Sequence, residues 1–357
     1  MGERDERIDF LRGLALIVIC LDHIYGNVIA SFTPLALGYS DMAEVFVFLS
    51  GVVSAWSFES RLSRQGAIRT ISDFWVRSFY LYSAYVVAGT LLILWMRATG
   101  TTAFIDFHQW GATVNPMRRL FRDIALLRQH VPHLTILPIY ILEFLVLPLL
   151  LLSVRRLSQF GRQLTLLLVA TVLYVAAKVN AFPIPDDIQR ALYFHPASWL
   201  ALFLTGAALG CSSRTTRLPL WRLARWILGM ICAGGLIIFF ALAHTQAVAR
   251  YIDKPTLGPL RLVHFFLAAV LAMVLLPKRS KWYWKSVQAC GRQSLWVYLA
   301  GAFVSVLLTA VLQNLEGVWW GQIVVNVEAV LACLFVGRVA SRQHRSPPVE
   351  HGIPEPL

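Results

Sequence analysis

The chain has 357 residues, of which 57% are hydrophobic and 14% charged, and its mean hydropathy is +0.63. Ordinary soluble domains carry about 25% charged residues, so this composition excludes an ordinary soluble fold. The formal net charge of +13 does not indicate a nucleic-acid partner, because the Lys and Arg residues lie between apolar runs rather than in one patch. We therefore predict an all-α fold, a polytopic helical bundle embedded in a lipid bilayer.

The first apolar run is interrupted by ionisable residues: Asp9, Arg12, Asp22 and His23. A charge in hydrocarbon costs at least about 2.5–3.5 kcal/mol, so such residues usually have a function. Arg12 and His23 are separated by ten residues, which places them within about 20° of each other on a helix and about 16 Å apart along its axis. Asp9 precedes Arg12 by three residues and is close enough to pair with it. One helical face is predicted to carry a cation near the cytoplasm and an imidazole further out.

The second apolar run opens with Asp41 and Glu44 and runs back towards the cytoplasm. Glu44 is then at the same depth as His23, and we predict that the two side chains meet. An imidazole beside a carboxylate is the usual arrangement of a general base, so His23 and Glu44 are candidate catalytic residues. Asp22 adjoins His23 in sequence but lies about 100° round the helix, which makes it the less favoured partner.

Ten apolar segments have lengths compatible with a hydrocarbon core of about 30 Å. They are 10–30, 42–58, 76–96, 136–153, 164–180, 196–211, 224–243, 260–277, 295–312 and 317–337. Arg and Lys concentrate at both ends of the chain and in alternate connections, which places both termini in the cytoplasm. Residues 1–345 are predicted to form one transmembrane domain, followed by a short polar tail at 346–357.

The connection at 97–135 is expected on the outer side, yet it is rich in arginine. Apolar residues recur in it at helical spacing, at Met117, Leu120, Phe121, Ile124 and Leu127. We interpret this stretch as an amphipathic helix lying in the outer interface. The alternative is a miscounted span, which would invert the topology of everything downstream.

Further candidates lie on each side. On the outer side, Tyr140, Arg261 and His264 are expected to line a polar cavity together with Asp22 and Asp41, although Arg261 and Tyr140 could equally be interfacial anchors. On the inner side, Arg77 and Arg292 flank helix starts and could join Arg12 in binding phosphates. The bias of positive charge towards cytoplasmic loops would also explain them.

We expect no metal site. Most of the histidines map to the outer side, but no H-x-x-x-H pair sits on a predicted helix, and H-V-P-H at 130–133 is interrupted by a proline. The five cysteines lie in or beside apolar segments without metal-type spacing, and are expected to be small buried residues.

The N-terminal motifs resemble a known family. An Arg, ten residues, a His and then F-x-F-L-S-G, here residues 46–51, is similar to the acyltransferase type 3 superfamily of membrane acyltransferases. The strings R-I-D-F-L-R-G, D-H-I-Y-G-N, S-D-M-A-E-V-F-V-F-L-S-G, L-P-I-Y, F-H-P-A-S-W and L-G-P-L-R-L-V-H resemble OpgC-type proteins, which are associated with succinylation of osmoregulated periplasmic glucans. The resemblance extends from about residue 4 to about residue 299.

The resemblance implies an O-acyltransferase of the bacterial inner membrane. An acyl group, succinyl in this branch and acetyl in the superfamily at large, would pass from cytoplasmic acyl-CoA to a hydroxyl of a periplasmic glucan or another envelope glycan. His23 would be the base and Arg12 a donor contact, to which we add Asp9, Arg77 and Arg292. Acyl-CoA would be a co-substrate, with no tightly bound cofactor. The chain departs from the family pattern at Thr135, where an acidic residue is expected, and at His195, where Asn is expected.

Transport is the rival interpretation. A ten-span protein with intramembrane Arg, His and Glu could be a proton-coupled transporter or a flippase. No inverted repeat or pair of broken helices stands out in the sequence to favour it. Consumption of an acyl-CoA thioester would discriminate between the two functions.

Overall fold

The computed structural model describes residues 5–100, 117–181, 183–212, 222–242, 251–277, 284–315 and 318–343. Within these ranges all regular secondary structure is helical, as predicted. The predicted tail at 346–357 and much of the connection at 97–135 lie outside the described residues.

The helices in the described ranges are numbered in chain order. They are α1 (Glu6–Asp22), a short 3₁₀ helix (Val28–Phe32), α2 (Pro34–Leu37), α3 (Met42–Ala98), α4 (Met117–Ala125), α5 (Leu137–Val154), α6 (Gln159–Lys178), α7 (Asp186–Leu192), α8 (Pro196–Gly210), α9 (Arg222–Leu242), α10 (Pro259–Leu275), α11 (Lys285–Arg292), α12 (Ser294–Asn314) and α13 (Trp319–Gln343).

Each of the ten predicted apolar segments overlaps a helix. By length and hydropathy, five helices of the described residues are candidate membrane spans, namely α3, α5, α6, α12 and α13. The protein is therefore a helical membrane protein. Ten crossings and cytoplasmic termini remain predictions.

The first predicted span, at 10–30, is too long. Helix α1 ends at Asp22, and His23 follows as its C-terminal cap. The chain turns there because Gly26 adopts a left-handed φ of 81°, and because the Asn27 amide donates back to the carbonyl of Leu21 at 3.0 Å. His23 therefore lies at the end of a helix instead of in the middle of one.

The segment 59–75, predicted as a loop, is helical on both sides of Gly66. That glycine has φ 79° and ψ 177°, a conformation that breaks α3 into two arms. The rings of Phe58 and Phe74 lie 6.0 Å apart, and Arg61 forms an ion pair with Asp73. The two arms therefore fold back on each other as a helical hairpin, which brings residues of both arms to the same end of the bundle.

The amphipathic helix predicted within 97–135 is present as α4. Leu120 and Ile124 are buried, whereas Phe121 is exposed. Ile124 packs beside Gly89 of α3, and the Tyr82 hydroxyl donates to the carbonyl of Ala125 at 2.8 Å. The apolar face of α4 is thus covered by protein, and its place in the outer interface stays a prediction.

Helices α3 and α8 approach each other through small residues. A Cβ atom added at Gly51 would lie 2.0 Å from the Phe203 carbonyl oxygen, and one at Gly206 would lie 2.1 Å from that of Phe48. Such backbone contact is typical of membrane helices, which associate largely by close packing. It fixes the first arm of α3, which carries the F-x-F-L-S-G motif.

We predict that Gly206→Ala destabilises the protein by about 1–3 kcal/mol, because the added methyl group forces α3 and α8 apart. The matched control is Gly234→Ala in α9, where a Cβ atom would meet nothing within 4 Å. That control should be neutral or stabilising, since alanine favours helix over glycine by about 1 kcal/mol. Thermal unfolding in detergent compares the two variants, and equal melting temperatures would contradict the proposed packing role of Gly206.

Candidate functional site

Arg12 is buried where three helices meet. Its Nη2 atom donates to the Ser294 hydroxyl at 2.9 Å, and its guanidinium lies over the ring of Phe46, 5.5 Å from the centroid. Helix α1 touches α11 backbone to backbone beside it, because a Cβ atom at Gly13 would lie only 1.9 Å from the Val287 carbonyl oxygen. These contacts fix the depth and direction of the guanidinium.

Arg12 borders a cavity of about 220 Å³ at the predicted cytoplasmic end, which we call the inner cavity. Its polar lining comprises Arg12, Arg61, Arg77 and Arg292, the hydroxyls of Ser50, Ser54, Ser57, Ser294, Tyr140 and Tyr298, and Asp73. The three arginines that the sequence proposed for the donor therefore lie around one cavity. Asp9 adjoins it through an ion pair of 3.8 Å with Arg292.

Sequence reasoning missed Arg61 as a cavity residue, because it placed this arginine in a loop. The α3 hairpin carries Arg61 to the cavity together with Arg77 of the second arm. The Arg61 side chain is 44% exposed and that of Arg292 is 35% exposed, whereas Arg12 is 7% exposed. The inner cavity thus has accessible cations at its mouth and a buried one deeper in.

Tyr140 lines the inner cavity, so its predicted place in the outer cavity is wrong. Its hydroxyl lies within hydrogen-bonding distance of the Ser50 hydroxyl, at 2.9 Å, and of the Phe46 carbonyl oxygen, at 3.3 Å. These bonds turn the side chain towards the first arm of α3. Three residues of the F-x-F-L-S-G motif make defined contacts. The ring of Phe46 packs against the Arg12 guanidinium, and the Ser50 hydroxyl bonds to Tyr140. Gly51 has no side chain, which allows the backbone of α8 to pack directly against it.

A second cavity of about 340 Å³ lies at the predicted outer side, and we call it the outer cavity. Its polar lining comprises Asp22, His23, Tyr25, Asp41, His130, His133, Thr135, Tyr193, Lys254 and Tyr298. Asp22 and Asp41, which the sequence proposed for an outer cavity, both line this space, and their role in binding the acceptor stays a prediction. Thr135, one of the two departures from the family pattern, also falls on this wall.

His23 presents one nitrogen to the outer cavity in a defined tautomer. Its Nδ1 atom lies 2.6 Å from the Ile19 carbonyl oxygen, and a carbonyl only accepts, so Nδ1 carries the hydrogen. The unprotonated Nε2 is then available as a base. The ring of His133 meets that of His23 edge to face at 4.7 Å, and His133 is itself held by the Ser305 hydroxyl at 2.9 Å.

Glu44 does not hydrogen-bond to His23 in the described structure, contrary to the prediction. Its carboxylate accepts from the Arg261 guanidinium and from the backbone N–H of Asp41, the latter at 2.9 Å. A Glu at the third position of a helix can fold back to cap its own first turn, and Glu44 does this for α3. The carboxylates that line the cavity with His23 are instead those of Asp22 and Asp41.

Asp41, Glu44, Arg261 and Lys254 form a buried ion cluster. Asp41 accepts from Arg261 at 2.8 Å and from Lys254 at 2.6 Å, and its other oxygen caps the N–H of Ala43 at 2.8 Å. Arg261 is therefore neither an interfacial anchor nor part of the described lining of the outer cavity. It is the cation that neutralises two buried carboxylates.

His264, predicted in the outer cavity, lies behind its wall. Its Nδ1 atom is 2.7 Å from the Ser40 hydroxyl, and its ring packs against Gly38 and Tyr39. His195, the second departure from the family pattern, is likewise outside the described lining and caps α8. Neither side chain faces the space that His23 occupies.

The sequence placed His130 and His133 on the outer side, lining either a polar cavity or the headgroup region, and in the structure both line the outer cavity. The segment 126–136 that carries them turns into the protein, with a left-handed φ of 65° at His133. Burial lowers the pKa of His130 to about 4, so this imidazole is neutral at pH 7. The proline between His130 and His133 was the sequence signal that this segment turns instead of continuing as a helix.

The two cavities share a wall. Ile136 and Tyr298 line both cavities, whereas each of the other lining residues lines only one of the two. Helix α1 runs past both cavities, with Arg12 at the inner one and His23 at the outer one. The arrangement provides a cationic space and an imidazole-containing space that meet end to end inside one helical bundle.

Comparison with known protein families identifies a match. A family model described as OpgC protein matches residues 4–345, which is nearly the whole chain. No curated protein and no solved structure matches the chain.

We predict that Arg261→Met destabilises the protein by about 3–5 kcal/mol, because it leaves two buried carboxylates without their shared cation. Lys254→Met should have a smaller effect, since Lys254 is 26% exposed and Asp41 keeps Arg261. Thermal unfolding in detergent measures both.

The triple variant Asp41→Asn, Glu44→Gln, Arg261→Met tests whether uncompensated buried charge is the cause of the destabilisation expected in Arg261→Met. Removing the charges together should recover much of the stability lost in Arg261→Met, because no uncompensated buried charge remains. If the triple variant were no more stable than Arg261→Met, charge compensation would not be the role of Arg261.

Proposed function

We propose, since the chain belongs to the OpgC protein family, that it is a membrane O-acyltransferase that uses acyl-CoA. Membership of this family points to a glucan-modifying acyltransferase. The finer proposal is that succinyl is moved from cytoplasmic succinyl-CoA to a hydroxyl of a periplasmic glucan or a related envelope glycan, across the bacterial inner membrane. The observation that carries it is the pair of cavities with a common wall, one lined by arginines and the other containing His23.

The inner cavity suits the narrow end of the donor. Its volume of about 220 Å³ is below the range of about 300–1,000 Å³ typical of sites that enclose a whole ligand. The nucleotide of coenzyme A would stay outside, with its phosphates at the exposed guanidiniums of Arg61 and Arg292. The pantetheine arm would then extend past Arg12 towards Tyr298.

The outer cavity suits the acceptor. It is about 340 Å³ in volume and carries carboxylate, imidazole, hydroxyl and ammonium groups, which can bind the hydroxyls of a sugar. A glycan hydroxyl placed at Nε2 of His23 would lose its proton to that nitrogen as its oxygen attacks the thioester carbonyl. The C–S bond then breaks, and the proton on His23 passes to the leaving thiolate. The products are an O-acyl glycan and free coenzyme A, so that no acyl-enzyme is required.

In this proposal the carboxylate that stabilises an imidazolium at His23 is that of Asp41 rather than that of Glu44, whereas the ammonium of Lys254, which is paired with Asp41, opposes it. Both charges act on the imidazole across the outer cavity. Glu44 contributes indirectly, since it helps Arg261 hold Asp41 in place. In this proposal Glu44 is a positioning residue rather than part of a catalytic pair.

We predict that His23→Ala abolishes glucan-dependent release of thiol from succinyl-CoA by the detergent-solubilised protein. A general base contributes about 10²–10⁴-fold to rate, so a loss of at least about 100-fold is expected. The matched control is His264→Ala, since His264 lies behind the outer cavity and should keep most of the activity at equal folded stability. Acetyl-CoA is assayed in parallel to identify the acyl group.

Failure of this assay would favour the rival function. If wild-type protein released thiol from neither donor in the presence of glucan, acyl transfer would lose its support. Proton-coupled transport or lipid flipping by the same Arg and His residues would then be tested in proteoliposomes.

We predict that Arg292→Gln raises the KM for acyl-CoA several-fold and changes kcat little. Arg292 lies at the mouth of the inner cavity, where it would contact the donor's phosphates rather than the reacting atoms. The matched control is Arg338→Gln, because Arg338 is an exposed arginine that binds Ser286 and does not line that cavity. Equal KM values for the two variants would contradict a donor site at Arg292.

A further inference from the structure

The wall between the cavities centres on one side chain. Tyr298 lines the inner cavity, the outer cavity and a small space of about 10 Å³ that is also lined by His23 and His133. Its hydroxyl interacts with the backbone of Ile136, the other residue common to both large cavities. Tyr298 is 8% exposed and lies at the boundary that the two large cavities share.

The geometry of α12 places Tyr298 midway along the proposed path of the acyl group. Ser294 binds Arg12 at the inner level, and Ser305 binds His133 beside His23 at the outer level. Tyr298 lies one turn beyond Ser294 and about two turns before Ser305, or about 6 Å and 10 Å along the axis. A group that passes from Arg12 to His23 along α12 therefore passes Tyr298.

The segment that contacts Tyr298 from the opposite side, at Ile136, is a turn and not a regular helix. Ile136 immediately precedes α5 and follows the turn in which His133 has a left-handed φ. The Leu134 N–H donates to the Val131 carbonyl at 3.2 Å, and the Leu137 N–H donates to the Leu134 carbonyl at 3.1 Å. These local hydrogen bonds fix the backbone on either side of Ile136, opposite Tyr298.

The wall between the cavities matters for the donor because a thioester can be hydrolysed. A thioester in the inner cavity, exposed to the outer cavity and to the base His23, could be attacked by water as well as by a glycan hydroxyl. Attack by water would give a free carboxylic acid and coenzyme A, and the donor would be wasted. Exclusion of water from a site is a general way to suppress this kind of side reaction.

We propose that Tyr298 is a specificity-determining residue that keeps the thioester apart from outer-side water and so directs the acyl group to the glycan. This inference rests on the proposed acyl transfer. In it, Tyr298 contacts Ile136 until donor and acceptor are both bound, and its displacement then joins the two cavities. The side chain selects between a hydroxyl and water without itself exchanging a proton.

The test measures two rates for each variant with succinyl-CoA. One is thiol release without glucan, which reports hydrolysis, and the other is succinyl incorporation into glucan. Tyr298→Phe keeps the ring and loses the hydroxyl contact, and we expect the ratio of hydrolysis to transfer to rise about threefold to tenfold. Tyr298→Ala opens the connection and should raise the ratio further. The matched control is Tyr82→Phe, which likewise loses a contact of a tyrosine hydroxyl with the backbone, here to the Ala125 carbonyl, but lies outside the described lining of both cavities.

The outcomes separate the two proposals. If wild-type protein transfers succinyl and both Tyr298 variants keep its ratio of hydrolysis to transfer, the role of Tyr298 is overturned while acyl transfer stands. Loss of transfer with no gain in hydrolysis would also overturn it, because Tyr298 would then serve donor binding. If wild-type protein consumes no acyl-CoA at all, the proposed function itself fails.

A second measurement is independent of activity. Ser54 lines the inner cavity and can be replaced by a reporter cysteine, since the five native cysteines are all buried in the described structure. In intact spheroplasts, a small membrane-impermeant thiol reagent should label Ser54→Cys several-fold faster when Tyr298→Ala is also present. Equal labelling with and without Tyr298→Ala would contradict a closed wall at this residue.

Discussion

The backbone contact between α1 and α11 is the constraint on which the rest of the site depends. Gly13 lies against the Val287 carbonyl and Gly291 against that of Asp9, in both cases too closely for any side chain. This contact sets the depth of Arg12 and Arg292 together and leaves the other end of α1 to place His23. A single straight helix thereby connects the cationic end of the bundle to the imidazole end.

Most of what the sequence could predict about the site came from the helical spacing of residues in α1. The spacing of Arg12 and His23 places them at different depths of the same helix, and the structure puts one at each cavity. Arg77 and Arg292 were proposed to join Arg12 because they flank helix starts, and the structure has all three in the lining of the inner cavity. Predictions of this kind depend on helical geometry and on where charge can be solvated, which act locally.

Contacts between helices could not be predicted in the same way. Glu44 was paired with His23 by depth alone, yet depth does not fix the rotation of a helix about its axis. The string D-M-A-E at 41–44 contained the missing signal, since an acidic residue followed three positions later by Glu is typical of a self-capped helix start. Tyr140 was misplaced for a related reason, because its direction depends on a hydroxyl of α3.

The same structural logic explains how a bilayer-embedded bundle could keep a charged donor and a sugar acceptor apart until they react. Arginines occur at the inner cavity, imidazoles at the outer cavity, and Tyr298 with Ile136 lies between them. In the proposed mechanism, the acyl group passes through the protein from one side of the membrane to the other.

Sided proteoliposomes test this claim most directly. Protein is reconstituted with labelled succinyl-CoA on the Arg12 side of the membrane and glucan only on the His23 side, and label on the glucan is measured. The account predicts labelled glucan when the two substrates are separated by an intact bilayer, and none with His23→Ala. Label that appears only when donor and glucan share a compartment would contradict it.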